Sequence, residues 1–182
     1  MSLAGRNRAI GLVLAAVVFG LDRVVKALVV GPVGLTEPGM SHYVLPFFSL
    51  TRENNYGVSL GMFPAASPEM RWLLVLVTAA IAVVVIVWLL RERRLADILP
   101  LGLVLGGAAG NILDRVTRGW VVDYADLHFG DWRPFLIFNL ADAAISVGVV
   151  IILVRALFMR EKPPSAQGDT PADQPAETVP DA

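Results

Sequence analysis

Cysteine is absent from this sequence of 182 residues, and histidine occurs only at His42 and His128. Without cysteine, the chain has no disulfide bond, thiolate metal ligand or cysteine nucleophile. Two histidines are also too few for a multi-histidine metal centre. We therefore expect neither a metal nor another cofactor. The formal net charge of -1 gives no indication of a nucleic-acid partner.

Apolar residues dominate the composition, with a hydrophobic fraction of 55% and a mean hydropathy of +0.64. A membrane-spanning helix needs roughly 20 mostly apolar residues, because each residue advances the chain by about 1.5 Å. Four segments meet this description, at about 10–30, 72–90, 96–113 and 134–158. The sequence therefore predicts an α-helical polytopic membrane protein with four transmembrane helices.

The first apolar segment contains Asp22, Arg23 and Lys26 and is preceded by two arginines, as in a secretory signal peptide. However, "LDRVVK" follows the apolar run where a signal peptide would have small residues at its cleavage site. We therefore interpret this segment as a permanent helix.

Basic residues predict the orientation of the helices. They flank the N-terminus, join the second and third helices, and follow the fourth helix, as Arg6, Arg8, "RERR" (91–94), Arg155, Arg160 and Lys162. An even number of spans places all three groups on one side, which the positive-inside rule makes cytoplasmic. Both termini are then cytoplasmic, and segments 31–71 and 114–133 face outward.

The two segments outside the helices have different characters. Segment 31–71 includes "HYVLPFFSLTRENNYGVSLGMF", whose aromatic and β-branched residues predict a small outer β-structure at about 40–65, between helices one and two. Residues 161–182 are rich in Pro, Ala, Asp and Glu and predict a disordered cytoplasmic tail. Residues 1–160 are then a single membrane-embedded domain.

The fourth apolar segment, "PFLIFNLADAAISVGVVIILV", contains Asn139, Asp142 and Ser146, which would share one helical face. Asparagine and serine alone would indicate polar contacts between helices. An ionisable group in a membrane span is instead a functional hypothesis that needs a partner. Counted from Pro134, Asp142 would lie about 12 Å along the helix, below the outer surface.

The partner of Asp142 should come from "GNILDRVTRGWVVDYADLH" (110–128), which offers Asp114, Asp123 and Asp126. Asp114 precedes Arg115 and is better explained as part of a structural ion pair at the membrane boundary. Asp123 lies in a β-branched and aromatic run that would lay its carboxylate over the fourth helix, and Asp126 is expected to be solvated. Spacing therefore favours Asp123 modestly over Asp114.

Two carboxylates at close range share a proton, so that one acts as general base and the other as general acid. Such a pair can activate water for attack on a peptide carbonyl without cysteine, histidine or metal. Asp22 either forms local pairs within the first helix or lines this site, and the residues favour neither role.

Two other patterns carry little weight. "GVSLG" (57–61) matches a nucleophile elbow but lacks the strand-turn-helix context and a histidine partner. "GGAAG" (106–110) lacks the lysine of a phosphate loop, and its small residues indicate close packing between helices.

Five blocks in order give the chain a resemblance to bacterial lipoprotein signal peptidase, also called signal peptidase II. They are "LDRVVK" (21–26), "TRENNYG" (51–57), "GNILDR" (110–115), "VVDYAD" (121–126) and "FNLADAAI" (138–145). The resemblance covers about residues 10–158. The segment "NNYGVSLGMF" departs from the commoner family pattern, in which small residues and Phe follow the glycine.

The resemblance implies an inner-membrane aspartyl protease with its active site toward the periplasm. The family removes the signal peptide of a prolipoprotein just before a cysteine that carries diacylglycerol. The resemblance assigns the catalytic aspartates to Asp123 and Asp142 and substrate contact to Asn55. Positions around the substrate site correspond to Asn111, Asp114, Arg115 and Asn139, and Asp22 matches the family's aspartate in helix one.

These assignments imply as partners a lipid-modified prolipoprotein substrate and membrane lipids, and we expect a monomer. Two other functions fit a membrane carboxylate. One is a small proton-coupled transporter with an aspartate relay, although the chain has few spans and no internal repeat. The other is a structural assembly subunit in which the polar residues hold helices together.

Overall fold

The computed structural model describes residues 2–57 and 67–158. Within them the chain forms four helices and three strands: α1 Leu3–Val30, β1 Ser41–Leu45, β2 Phe48–Asn55, α2 Pro68–Arg91, α3 Leu95–Arg118, β3 Val121–Leu127 and α4 Leu140–Phe158. The pattern "GVSLG" and the end of the predicted outer β-segment extend into 58–66, and the predicted tail is at 161–182. Both stretches lie outside the described residues.

Three of these helices are long and apolar enough to cross a membrane, namely α2, α3 and α4. The remaining helix, α1, has 28 residues and carries five charged side chains, Arg6, Arg8, Asp22, Arg23 and Lys26. The protein is therefore a helical membrane protein with three candidate spans by composition and a long, charged first helix.

Helix α3 lies at the centre of the bundle and packs against each of the other three helices. Glycines permit this close approach. A Cβ atom at Gly106 would lie 2.5 Å from the carbonyl oxygen of Ala15, and one at Gly107 would lie 2.5 Å from that of Ala141. The prediction that "GGAAG" serves helix packing is confirmed, and it explains how α1 and α4 are held close to α3.

The sheet is antiparallel, has the order β1-β2-β3, and lies at one end of the bundle. Strands β1 and β2 agree with the predicted β-structure between helices one and two. Strand β3 comes from the connection between α3 and α4, which had not been assigned to a strand. The sheet packs over the end of α1 through an apolar cluster of Val29, Leu35, Tyr124 and Ala125. One sheet thus joins the two connections at this end.

Basic residues lie close together at the opposite end of the bundle. The Asn7 amide and the Arg8 guanidinium donate to the carbonyls of Arg93 and Glu92, each at 2.9 Å. There too Arg155 of α4 binds Asp97 of α3 at 2.7 Å. The N-terminus of α1, the α2–α3 connection and the end of α4 therefore meet on one side, away from the sheet.

Helix α4 begins at Leu140, six residues after the predicted start at Pro134. The preceding residues form an extended segment in which Phe138 pairs with Ala125 of β3. Asp142 is consequently in the first turn of α4 rather than about 12 Å along a helix. The apolar residues 134–139 misled the prediction, because Phe138 pairs with the sheet while Phe135 and Leu136 are exposed, and none of them lies in the helix.

Candidate active site

Asp123 projects from β3 and is almost fully buried, with 1% of its surface exposed. β3 pairs with β2, and this pairing brings Asn55 close to the carboxylate. The Asn55 amide donates to Asp123 Oδ2 at 2.9 Å. Asn54 instead accepts a hydrogen bond from Arg52. Of the two adjacent asparagines, Asn55 is therefore the one whose side chain contacts Asp123.

Asn139 and Asp142 form a reciprocal cap at the start of α4. The Asp142 backbone N–H donates to Asn139 Oδ1 at 2.9 Å, and the Asn139 backbone N–H donates to Asp142 Oδ2 at 3.2 Å. This is the capping-box pattern, in which two residues three apart satisfy backbone donors at a helix N-terminus. The two residues are thus neighbours because of the cap and not because they share a face of the helix.

Asn139 also joins the two aspartates. Its Nδ2 donates to Asp123 Oδ1 at 2.6 Å while its Oδ1 caps Asp142. On the other side, Asn111 of α3 donates to Asp142 Oδ1 at 2.7 Å. Asn55, Asn139 and Asn111 therefore hold the two carboxylates in one hydrogen-bonded constellation built from β2, β3, α3 and α4.

Burial raises the pKa of Asp123 to about 7, and the nearby Asp142 carboxylate adds to this shift. Hydrogen bonds from Asn55 and Asn139 and the charge of Lys26 oppose the increase. A carboxyl group with this pKa is about half protonated at neutral pH. The site can therefore hold a proton and a carboxylate charge at the same time, as acid–base chemistry requires.

A groove of about 290 Å³ opens beside Asp142. Its lining is apolar apart from Asp142 and Ser146, and includes the aromatic rings of Phe135 and Phe138. Asp142 is only partly buried, whereas Asp123 is enclosed. An apolar ligand lying along α4 would therefore meet Asp142 before it met Asp123.

A buried cluster of charged side chains from α1 and α3 packs against the candidate site. Asp114 accepts from Lys26 at 2.8 Å, from Arg118 at 2.5 Å and from Arg23. Lys26, with a fully buried side chain, also binds Asp22 at 2.9 Å. The interpretation of Asp114 as part of a structural ion pair is confirmed, although it pairs with Lys26, Arg118 and Arg23 rather than with the adjacent Arg115.

Lys26 connects this cluster to the aspartates and was not among the predicted site residues. Its ammonium donates to Asn111 Oδ1 at 3.2 Å, which leaves the Asn111 amide N–H to donate to Asp142. Its spacing of four from Asp22 was the available signal. Asp22 forms this local pair, one of the two roles left open for it, and also accepts from the Ala141 N–H of α4 at 3.3 Å.

Arg115 lies on the side of the site that faces the end of β2. Its charge interacts with both Asp142 and Asp123. Its Nη2 is 3.4 Å from the position that a Cβ atom on Gly57 would take. Gly57 has φ +83°, and its N–H donates to Asn55 Oδ1 at 2.7 Å. A residue other than glycine would be strained there, so this turn lets Asn55 and Arg115 approach the aspartates together.

Asp126, expected to be solvated, is 3% exposed. It binds Arg133 at 3.0 Å and accepts from Thr51 at 3.2 Å. It therefore belongs to the packing of the sheet rather than to the pair of aspartates. Among residues 2–57 and 67–158, no group of three or more acidic or histidine side chains is arranged to hold a metal ion.

Known proteins resemble this chain in sequence. The sequence model of the Signal peptidase (SPase) II family matches residues 14–158. A lipoprotein signal peptidase from Rhizorhabdus wittichii is 50% identical over 85% of this chain and 90% of its own length. Another from Sphingopyxis alaskensis is 48% identical over 90% of this chain and 94% of its own length.

Solved structures share the fold. A bacterial membrane enzyme at 1.9 Å resolution aligns with a TM-score of 0.72 and 27% identity, over 84% of this chain and 95% of its own. A bacterial membrane enzyme at 2.3 Å resolution aligns with a TM-score of 0.71 and 25% identity, over 85% and 93%. The similarity therefore extends over nearly the whole of these related chains.

Proposed function

Because the chain belongs to the signal peptidase II family, and is by that membership a membrane protease of lipoproteins, we propose that Asp123 and Asp142 form its catalytic pair. The bond cleaved is the peptide bond just before the cysteine that carries diacylglycerol in a prolipoprotein. One observation carries this proposal. The Asn139 side chain binds Asp123 and caps Asp142, so that the two carboxylates meet beside an apolar groove.

The reaction needs one proton shared between the two carboxyl groups. The ionised carboxylate removes a proton from a water molecule, and the oxygen of that water bonds to the scissile carbonyl carbon. The protonated carboxyl group gives its proton to the carbonyl oxygen, which yields a neutral tetrahedral diol. The diol then collapses: a proton passes from the pair to the amide nitrogen, the C–N bond breaks, and a hydroxyl proton returns to the pair.

The groups around the two carboxyl groups favour a single proton shared between them. The pKa of Asp123 near 7 keeps a proton available at neutral pH. Asn111, Asn139 and Asn55 donate to the carboxylate oxygens and fix their directions. The positive charge of Arg115 limits the cost of the remaining negative charge. Asn55 at the end of β2 and Arg115 of α3 lie on the same side of the pair, where we propose that they also contact the substrate backbone.

The apolar groove supports a membrane-borne substrate. A diacylglyceryl group confines the substrate cysteine to the bilayer, so the scissile bond arrives from the lipid side. The groove beside Asp142, with Phe135 and Phe138, offers an apolar path from that side. A soluble peptide would have no such confinement, and we expect it to be cleaved poorly.

Four spans, rather than three, form the membrane domain in this proposal. Helix α1 exposes an apolar stripe while its charged residues Asp22 and Lys26 are buried against the bundle. The stripe consists of Val13, Val17, Leu21, Val24 and Leu28, which are 49–62% exposed. At about 1.5 Å per residue, 28 residues exceed the roughly 30 Å of hydrocarbon. A lipid-facing first helix accounts for both features.

The orientation proposed is N- and C-termini in the cytoplasm and the sheet toward the periplasm of the inner membrane. The gathering of Arg8, Arg93 and Arg155 at the end opposite the sheet supports it through the positive-inside rule. We further propose that residues 1–160 act as one domain and as a monomer.

Mass spectrometry of a cleavage reaction tests this function. The purified full-length protein is incubated in micelles with a diacylglyceryl-modified prolipoprotein and, separately, with the same precursor lacking the lipid. The proposal expects one cut, before the modified cysteine, and at least about tenfold slower cleavage of the unmodified precursor. A cut elsewhere, equal rates, or no cut with the lipidated precursor would overturn it. A proton-coupled transporter would give no cut.

A further inference from the structure

A second pocket lies at the same end of the bundle, where α2 begins and α3 ends, apart from the aspartates. It has a volume of about 320 Å³. Its walls come from the end of β2, the start of α2 and the connection after α3, through Tyr56, Ser67, Arg71, Arg118 and Trp120. None of the described residues that line it is acidic, and two are arginines, so its charge is positive.

Two hydrogen-bond donors in this pocket are unsatisfied. Arg71 Nε and Trp120 Nε1 are buried and have no hydrogen-bond partner among the described residues. A buried donor without an acceptor costs roughly 1–3 kcal/mol, and indole N–H groups usually find an acceptor when buried. Arg71 and Trp120 both line the one cavity, so a single acceptor-rich ligand that displaces their side chains slightly can satisfy both donors.

The two arginines are held in place by the protein. The Arg71 guanidinium donates to the carbonyl of Val116 near the end of α3 and lies over the ring of Trp72, 5.1 Å from its centroid. Arg118 donates to Asp114 at 2.5 Å. Asp114 also binds Lys26 and Arg23, so the positive charges around it outnumber its own negative charge. Preorganised arginines of this kind suit an oxyanion.

The position of the pocket favours a membrane lipid as the source of the oxyanion. It adjoins the first turn of α2, and the next two turns of that helix carry Trp72, Leu73 and Leu76, which are 49–67% exposed on the outer surface of the bundle. Tryptophan is enriched where a span meets the headgroup layer. An anion in this pocket therefore lies at headgroup depth, with an apolar helix face below it for acyl chains.

We propose that this pocket binds the phosphodiester headgroup of an anionic phospholipid from the leaflet on the side of the sheet. Its phosphate oxygens accept from Arg71 Nε and Trp120 Nε1 and lie next to Arg118. The acyl chains follow the exposed face of α2. Because the lining contains no acidic residue, a headgroup that carries its own cation gains no partner there.

Occupancy of this pocket has a consequence for the aspartates. Tyr56 packs against Trp120 with ring centroids 5.9 Å apart, and Tyr56 directly follows Asn55. A bound headgroup steadies Trp120 and, through Tyr56, the end of β2 that carries Asn55. Lipid binding should therefore stabilise the fold at this end, a readout that does not depend on the identity of the protease substrate.

Native mass spectrometry of the delipidated full-length protein tests the proposal. The probes are phosphatidylglycerol, diacylglycerol with the same acyl chains, and inorganic phosphate. We expect one saturable phosphatidylglycerol site and at least about tenfold weaker binding of diacylglycerol, which lacks the phosphate. Displacement of the lipid by millimolar inorganic phosphate would assign the pocket to a free anion and overturn the proposal. Equal binding of diacylglycerol would also overturn it.

Variants locate the site. Trp120→Phe keeps a smaller aromatic ring against Tyr56 and removes the indole N–H, and Arg71→Gln removes a charge. Each should weaken phosphatidylglycerol binding by about tenfold. The matched control is Arg133→Gln, which removes an arginine that binds Asp126 near the sheet and should leave lipid binding unchanged. The proposal would be contradicted if Trp120→Phe bound phosphatidylglycerol as tightly as the wild type, or if Arg133→Gln weakened phosphatidylglycerol binding as much as Trp120→Phe does. Both outcomes can be measured even if Arg71→Gln fails to fold.

Discussion

Asn139 and Asp142 hold each other through two backbone-to-side-chain hydrogen bonds, at 2.9 and 3.2 Å, across the start of α4. The same Asn139 side chain donates to Asp123 at 2.6 Å. The device that begins the helix is therefore also the device that positions the two carboxylates. Helix capping and the geometry of the proposed catalytic pair are coupled at this residue, and substitutions can separate the two.

Asn139→Ser separates them. Serine is a good N-cap residue and can still accept from the Asp142 N–H, so the loss of stability should stay within about 1 kcal/mol. Serine has no amide to donate to Asp123, so kcat should fall by about 10- to 100-fold, as for a lost hydrogen bond to a charged group. Thermal unfolding and cleavage rates measure the two effects. Asn139→Ala, as comparison, should lose both activity and about 1 kcal/mol of stability.

Asn55→Ala should move the pH dependence of cleavage. The pair is active with one proton, so activity is lost as the pH rises through its upper pKa, near the value of about 7 for Asp123. The Asn55 hydrogen bond lowers that pKa, and its removal should therefore raise it. The alkaline limb of the profile of kcat/KM against pH should shift to higher pH. Asn54→Ala, which does not contact the aspartates, should leave the limb in place; a shift to lower pH in Asn55→Ala would contradict the account.

Lys26→Met should destabilise the protein strongly. The Lys26 ammonium is fully buried and binds Asp22 and Asp114 at 2.9 and 2.8 Å. Removing one partner from a buried ion pair costs about 3–5 kcal/mol, because an uncompensated charge remains. The free energy of unfolding in micelles measures this cost. The double variant Lys26→Met with Asp22→Asn should recover part of it, and a single variant as stable as the wild type would disprove the structural role.

Gly107→Ala should disturb the aspartates from a distance. The added Cβ atom would lie 2.5 Å from the Ala141 carbonyl oxygen in the first turn of α4. The contact is with backbone, so α4 must move, and Asp142 with it. We expect kcat to fall by about 100-fold or more, as for a displacement of reacting groups near 1 Å. Gly20→Ala on α1 is the control, since nothing lies within 4 Å of its added Cβ atom, and it should keep full activity.

Much of the architecture was predictable because its signals are local. Hydropathy located all four helices, and the small residues of 106–110 indicated the close packing around α3. Aromatic and β-branched residues predicted strands after α1. The start of α4 was not predictable by hydropathy, because residues 134–139 are apolar for other reasons: Phe138 pairs with the sheet, and Phe135 and Leu136 line the groove beside Asp142.

The sequence indicated the two aspartates that we propose as the catalytic pair, but not the contacts behind them. A carboxylate in an apolar run marked Asp142, and spacing together with the family resemblance selected Asp123. Lys26 was not predicted as a site residue, and Asp126 was wrongly expected to be solvated. In both cases the sequence carries no indication of the distant partner of a charged side chain. Lys26 meets Asp114 across 88 positions, a pairing that only the packing of α1 on α3 creates.

The most direct test of the central claim compares three aspartates under one assay. Asp123→Asn and Asp142→Asn are each purified, shown to unfold cooperatively, and assayed with a diacylglyceryl-modified prolipoprotein. Asp126→Asn is the matched control, because Asp126 lies on the same strand as Asp123 but binds Arg133. The account predicts no detectable cleavage in the first two variants and near-normal cleavage in the control. Retained cleavage in either folded Asp123→Asn or Asp142→Asn would contradict the catalytic pair.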